Sequence, residues 1–232
     1  MEKYAVFGTG TVGQSLAARL SETGNQVVVG TRNVDATTKR SEKDNYGNPP
    51  FSAWLASHPD VELATFEQAA IRSDIIVNCT LGLASLDALK CVGEQNLNGK
   101  ILIDISNPLD FSKGFPPSLI VCNTDSLAEQ IQQAFPQLRV VKTLNTMSAM
   151  VMVNPQLLAG DHTVFVSGND TNAKVIVRKM LNSFGWANNN IIELGDITTA
   201  RGTEMLLPVW VRLYGALQTP MFNFHINIAQ AK

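Results

Sequence analysis

Charge is what this chain has least of. Only 16% of its 232 residues are Asp, Glu, Lys or Arg, against about 25% in an average globular domain. A surface so poor in charge leaves apolar area for a partner to cover. Neither sign dominates: 18 basic residues face 20 acidic ones, a net charge of −2. With no basic excess to neutralise phosphates, nucleic acid is not an expected partner. Cysteine is scarce as well. Cys79, Cys91 and Cys122 are scattered, with neither CxxC nor metal-knuckle spacing, and an odd number of isolated thiols suits the reducing cytoplasm. His58, His162 and His225 lie far apart with no companion cysteine or carboxylate pair, so no metal site is expected. Long apolar runs are missing too. Residues 4–20 are broken by Gly8, Gly10 and Gly13 and carry Arg19, which does not suit a signal peptide. The best spanning candidate, residues 205–217, contains Arg212 and falls short of the roughly 20 residues a bilayer requires. No membrane contact is expected.

What is present is a regular alternation. Short apolar, β-branched runs at 3–8, 26–30, 61–65, 74–80, 100–105, 139–143, 162–167 and 191–194 read as strands. Between them, apolar residues recur at helical spacing, most clearly over 11–20 and 171–184. Shorter helices are expected at 51–57, 66–72, 83–92 and 125–135, and the polar stretch 33–50 reads as a mobile loop. Strands that are continuously apolar are buried on both faces. The pattern predicts a doubly wound α/β fold with a mainly parallel sheet, the Rossmann architecture, over residues 1–198. After about residue 198 the strands stop. Residues 199–232 form a short helical extension, helical over 199–217 with a kink at Pro208.

The informative segment is Gly8-Thr9-Gly10-Thr11-Val12-Gly13. GxGxxG alone is weak, but here it leaves a strand, opens a helix and precedes a second strand. In that context each glycine has a physical role. Gly8 turns the chain tightly, Gly10 lets a pyrophosphate approach the backbone, and Gly13 lets the helix pack closely. The free N–H groups of the helix start attract the anion. A P-loop is excluded because Gln14 stands where a lysine would be needed. The second strand ends Gly30-Thr31-Arg32-Asn33, with no acid to hold ribose hydroxyls. Thr31 and Arg32 offer a hydroxyl and a guanidinium fork instead, which favours a 2′-phosphate and hence NADP.

Ligands in such sheets lie beyond the carboxyl ends of the strands. Thr80, Leu81 and Gly82 follow the fourth strand and are candidates to line the cofactor. Asn107 follows the fifth, where it either pairs with the nicotinamide amide or opens the turn before Pro108. Lys142 follows as a possible acid or a solvated strand-end lysine. No histidine lies near these turns and no catalytic side chain is identified, which fits hydride transfer between two redox rings. In the extension, Met205, Leu206, Leu207, Val209, Trp210, Val211, Leu213, Tyr214, Met221 and Phe222 cover more than one helical stripe. A helix apolar on most sides is buried on most sides, so a homodimer is expected, its interface near the nicotinamide crevice.

With these residues on the page the chain resembles the coenzyme F420-dependent NADP oxidoreductases, and is similar also to the cytosolic oxidoreductase domain of the STEAP metalloreductases. The pieces that carry the resemblance are GTGTVG at Gly8, VVGTR at Val28, DISNPL at Asp104, VVKTLNT at Val140, VSGND at Val166 and GDITTARGTE at Gly195. The resemblance implies NADPH on the Gly8–Gly13 loop with its 2′-phosphate at Thr31 and Arg32. It also implies a small-molecule redox acceptor of flavin or deazaflavin type, near Asn107, Asn145 and Met147. From the apolar extension, Trp210 is a further candidate to shape the acceptor pocket. Two other functions share the N-terminal fingerprint. One is an NADPH-dependent reductase of a small carbonyl or imine, like the hydroxyacid dehydrogenases and pyrroline-carboxylate reductases. The other is a non-catalytic NADPH-sensing protein.

Overall fold

A computed structural model of the chain describes residues 1–43 and 47–229. Residues 44–46, part of the expected loop, and 230–232, the end of the extension, lie outside the described residues. Among the described residues there are ten strands: β1 Lys3–Phe7, β2 Gln26–Thr31, β3 Val61–Thr65, β4 Ile75–Asn78, β5 Ile101–Asp104, β6 Leu109–Asp110, β7 Ser118–Leu119, β8 Arg139–Thr143, β9 Val164–Gly168 and β10 Ile191–Gly195. Eight of them form one sheet in the order β10-β9-β8-β5-β4-β1-β2-β3, and β6 and β7 pair as a small hairpin. Each strand of the sheet lies within two residues of its expected bounds.

Side chains alternate across the pleat, so a strand apolar at every position feeds both faces. In β1, Tyr4 and Val6 join a core with Leu16 and Leu20 of helix Thr11–Glu22. Ala5 and Phe7 join the opposite core with Phe66 and Leu89. Six neighbouring strands of the sheet, in the order β8-β5-β4-β1-β2-β3, are parallel, the doubly wound α/β arrangement the alternation predicts. Strand β9 pairs antiparallel with β8, and β10 follows β9 in parallel. Parallel neighbours need a long crossover. The segment between β8 and β9 carries only the short helix Ala149–Val153 and a 3-10 turn at Pro155–Leu157.

Three local expectations are corrected. The stretch 33–50 is not all loop: Asn33 caps a helix at Val34–Thr38, its Oδ1 accepting the Ala36 N–H at 2.8 Å. The kinked helix expected over 199–217 is two helices, Ala200–Met205 and Leu207–Leu217. Pro208 sits in the first turn of the second, where its missing N–H costs nothing. Met221 and Phe222 are not helical. Gln218 closes the helix in the left-handed conformation, and the chain then runs as a strap past the start of β9, where the Phe224 carbonyl accepts the Thr163 N–H at 2.8 Å.

Motif residues near the end of the chain stitch elements together. Asn169 accepts the Ile197 N–H at 3.0 Å, Asp170 caps helix Thr171–Phe184, and Arg201 pairs with Glu129 at 2.5 Å. Helix Leu127–Ala134 begins in a reciprocal cap. The fully buried Ser126 hydroxyl accepts the Glu129 N–H at 3.2 Å and donates to the Glu129 carboxylate at 2.8 Å. Ser126→Ala is therefore expected to lower stability by about 1 kcal/mol, read as a lower urea midpoint at unchanged slope.

Candidate functional site

The strand order reverses between β1 and β4, and a cleft of about 600 Å³ opens there at the carboxyl ends of β1, β2 and β4. A chain of close approaches builds it. Gly8 has φ +119°, and a Cβ there would stand 2.7 Å from the Cys79 carbonyl oxygen at the end of β4. Gly13 lies against Gly8 in turn: its Cβ would fall 2.1 Å from the Gly8 carbonyl oxygen. Side chains at either position would push the loop off the sheet. Gly10 differs, with nothing within 4 Å of the Cβ position, because it faces the open cleft. Gly10 is also the N-cap of helix Thr11–Glu22 and supplies no side-chain cap. The first-turn N–H groups therefore remain available to an anion. The Gln14 side-chain amide, where a P-loop has lysine, donates to the Thr9 carbonyl at 2.9 Å and braces the loop.

The expected nucleotide residues fall into three groups. Gly8, Thr9, Gly10, Thr31, Arg32, Asn33, Thr80 and Leu81 line the cleft. Thr11 is exposed at the helix start, while half-buried Val12 packs on the core and Gly13 is buried. Gly82 and Asn107 are not among the residues that line the cleft. A Cβ on Gly82 would come within 2.1 Å of the Asn107 carbonyl oxygen, so Gly82 serves close packing between helix Gly82–Lys90 and the turn after β5. Within the cleft, the Thr31 and Thr37 hydroxyls share a buried hydrogen bond of 2.8 Å. Arg32 is exposed and has no carboxylate partner among the described residues.

Arg40 was not anticipated. It lines the same cleft and likewise has no ion-pair partner among the described residues. In the sequence it is one basic residue of a polar stretch, and only the turn through Val34–Thr38 brings it round. Cys79 also borders the cleft. Burial, and then the negative charge of Asp104, push its thiol well above the usual range, so it is not a thiolate nucleophile.

Asn107 and Asn145 are brought together as a reciprocal amide pair. The Asn107 Nδ2 donates to the Asn145 carbonyl, and the Asn145 Nδ2 to the Asn107 Oδ1, each at 2.9 Å. The Asn145 Nδ2 also reaches the Thr203 carbonyl at 3.1 Å. Met147 is buried, with the strap residue Asn223 4.0 Å from its sulfur. Trp210 is half-buried between Tyr214 and Phe222, at ring distances of 5.7 and 5.3 Å.

Lys142 is the largest departure from expectation. It is neither solvated nor placed as an acid: its side chain is fully buried. The ammonium donates to Asp104 Oδ2 at 2.8 Å, to Glu204 Oε1 at 2.8 Å and to the Ser106 carbonyl at 2.5 Å, which fills its three donors. Burial opposes the charge, but Asp104 and then Glu204 outweigh it and hold Lys142 above the ordinary lysine range. Glu204 is completed by the Leu127 and Ala128 N–H groups, at 2.9 and 3.2 Å. Asp104 accepts Asn78 Nδ2 at 2.9 Å, and Asn78 accepts the hydroxyl of the cleft residue Thr80 at 2.7 Å. Among the described residues, no group of three or more His, Cys, Asp or Glu could hold a metal ion, and no helix is long and apolar enough to cross a membrane.

Comparison with known proteins gives a consistent set of relatives. Residues 3–108 match the family model described as NADP oxidoreductase, coenzyme F420-dependent. The chain is 55% identical to a solved structure from Arthrobacter sp. FB24 that carries the provisional description of an F420-dependent NADP-reductase. That match covers 98% of this chain and 100% of the other, with a TM-score of 0.92. It is 29% identical over 213 residues to Metalloreductase STEAP3 of Rattus norvegicus, covering 90% of this chain but only 38% of that protein's length. It is also 23% identical over 218 residues to the F420-dependent NADP reductase of Methanothermobacter thermautotrophicus, covering 92% of this chain and 89% of that one.

The glycine contacts separate two kinds of substitution. Gly10→Val meets open space in the free protein, so far-UV circular dichroism and the thermal midpoint are expected to stay native while dinucleotide binding is lost. Gly13→Ala meets the Gly8 carbonyl and is expected to lower the thermal midpoint itself. Equal thermal midpoints for the two variants would contradict the packing described.

Proposed function

Since the chain belongs to the coenzyme F420-dependent NADP oxidoreductases, we propose that it transfers a hydride between NADPH and an acceptor of flavin or deazaflavin type, at the carboxyl edge of its sheet. The observation that carries this proposal is the cleft itself: an open Gly10 at an uncapped helix start, with two arginines beside Thr31 that have no carboxylate partner among the described residues. These residues fit NADPH. The N–H groups after Gly10 would take the pyrophosphate. Arg32 and Arg40, with the Thr31 hydroxyl, would grip the 2′-phosphate, and Asn33 would support them by capping the helix that carries the chain back to Arg40. Thr80 and Leu81 would wall the cofactor, whose nicotinamide end would lie toward Asn107.

NADPH supplies the hydride when bound. The protein's part is to hold two rings in contact and to keep water out, which needs no side-chain acid. Lys142 fits that division, because its three protons are already committed within the core. The acceptor would meet the nicotinamide near Asn145, Met147 and Trp210. Residues 1–198 would then form the nucleotide-binding domain and 199–232 an extension shaping the acceptor side. A cytoplasmic setting accords with three unbridged cysteines.

A homodimer belongs to the same proposal. Helix Leu207–Leu217 buries only Leu207 and Val211, and it leaves Val209 48%, Tyr214 39% and Leu217 53% exposed. Apolar surface of this kind on one helix marks an interaction face. Light scattering is expected to give twice the 25.2 kDa chain mass, and Leu217→Glu to return it to one chain. A single-chain mass for the unaltered protein would remove the dimer.

Two measurements test the chemistry. Arg32→Ala is expected to weaken NADPH binding by roughly tenfold to a hundredfold, the loss of a charge-assisted contact of about 1.5–3 kcal/mol, while NADH binding changes little. Equal losses for both nucleotides would show that Arg32 does not meet the 2′-phosphate. Anaerobic NADPH oxidation against FMN, FAD, coenzyme F420, ferric chelates and small ketones identifies the acceptor. Turnover with ketones alone would replace the flavin-type acceptor with a carbonyl substrate.

A further inference from the structure

A buried ammonium is not the only way to fill the space between β5 and β8. Apolar side chains of similar volume commonly replace buried charged triads at no loss of stability. What Lys142 does beyond filling space can be traced along its contacts. The Ser106 carbonyl, held at 2.5 Å, belongs to the residue before Asn107. Asn107 is locked to Asn145 by two hydrogen bonds of 2.9 Å. Asn145 reaches the Thr203 carbonyl at 3.1 Å, and the next residue, Glu204, returns to Lys142 at 2.8 Å. The circuit is closed, and every member has a named partner. It joins the turn after β5, the turn after β8 and helix Ala200–Met205. A branch through Asp104 and Asn78 ends on Thr80 in the cleft wall.

The amide pair at the far side of this circuit is held from both ends by one cation. Loss of the ammonium would release the Ser106 carbonyl and, through Glu204, the Thr203 carbonyl that fixes Asn145. Neither effect touches Gly10, Arg32 or Arg40, none of which belongs to the circuit. We infer that Lys142 is a positioning residue: its ammonium sets the Asn107–Asn145 amide pair, and so orients the nicotinamide end of the nucleotide without contributing to the grip on the phosphates. This inference rests on the proposal that the nicotinamide lies at Asn107.

Two ligands separate the ends of the nucleotide. 2′-Phospho-ADP-ribose has the phosphates but no nicotinamide, and its affinity reports the cleft. The fluorescence anisotropy and emission maximum of bound NADPH report how firmly the nicotinamide is held. Lys142→Met leaves two carboxylates unpaired and tests folding as much as positioning. The neutral variant Lys142→Met/Asp104→Asn/Glu204→Gln removes the charges together and keeps the test independent of that penalty. For the neutral variant, 2′-phospho-ADP-ribose affinity is expected to stay within about threefold of the unaltered protein. The bound nicotinamide should meanwhile lose anisotropy and shift its emission toward that of free NADPH.

An unchanged nicotinamide signal in the neutral variant would overturn the inference and leave Lys142 a purely structural residue. So would a parallel loss of affinity for both ligands. Asn107→Ala separates the two levels. If it too leaves the nicotinamide signal unchanged, the placement of the nicotinamide at Asn107 is what fails. If it abolishes the signal while the neutral variant keeps it, only the role of Lys142 fails.

Discussion

One buried cation organises the carboxyl end of this sheet. Lys142 lies where β8 leaves the core, with no access to water, and two carboxylates and a carbonyl take its three protons. Taking any one charge away strands the others in a low-dielectric interior, a change that typically costs several kcal/mol. The geometry is therefore strongly coupled: β5, β8, helix Ala200–Met205 and the start of helix Leu127–Ala134 are placed relative to one another through this one group. The helix start contributes in return, since its free N–H groups offset the excess negative charge on Glu204.

The cleft at the carboxyl ends of β1, β2 and β4 stands beside this cluster and is built by a different constraint, the absence of side chains. Gly13 closes on Gly8 and Gly8 closes on the end of β4, so the loop cannot move outward without losing contact with the sheet. Only Gly10 is left facing empty space. The two constraints meet at Thr80, which lines the cleft and hydrogen-bonds to Asn78, the neighbour of Asp104 in the adjacent strand. The glycine-built cleft and the Lys142 cluster thus rest on separate sets of residues that share a wall at Thr80.

The end of the chain shows how local chemistry divides a segment that looks uniform. Residues 205–217 are apolar but for Arg212, yet Pro208 starts a new helix, and the preceding helix turns Thr203 and Glu204 into the core. The second helix keeps much of its apolar surface outside. Beyond Gln218 the strap is held by backbone and amide contacts to residues 162 and 163.

The strands, their approximate bounds and the glycine loop were legible in the amino-acid sequence, because both depend on short-range facts: unbroken apolar runs, and glycines between a strand and a helix. The place of Thr31 and Arg32 in the cleft was legible for the same reason, since both stand at the end of β2. Arg40 was not, because it reaches the cleft only after a helix that Asn33 caps within an otherwise polar stretch. The reversal of β9 was not, because apolar alternation carries no strand direction. Lys142 was misread because a lysine at a strand end is ordinarily solvated, and its partners Asp104 and Glu204 lie 38 and 62 positions away in the chain. Local sequence determined which elements form and which glycine turn opens on the cleft. The tertiary structure decided which charges are buried together, because pairing in a low-dielectric interior depends on distances that only the folded sheet brings about.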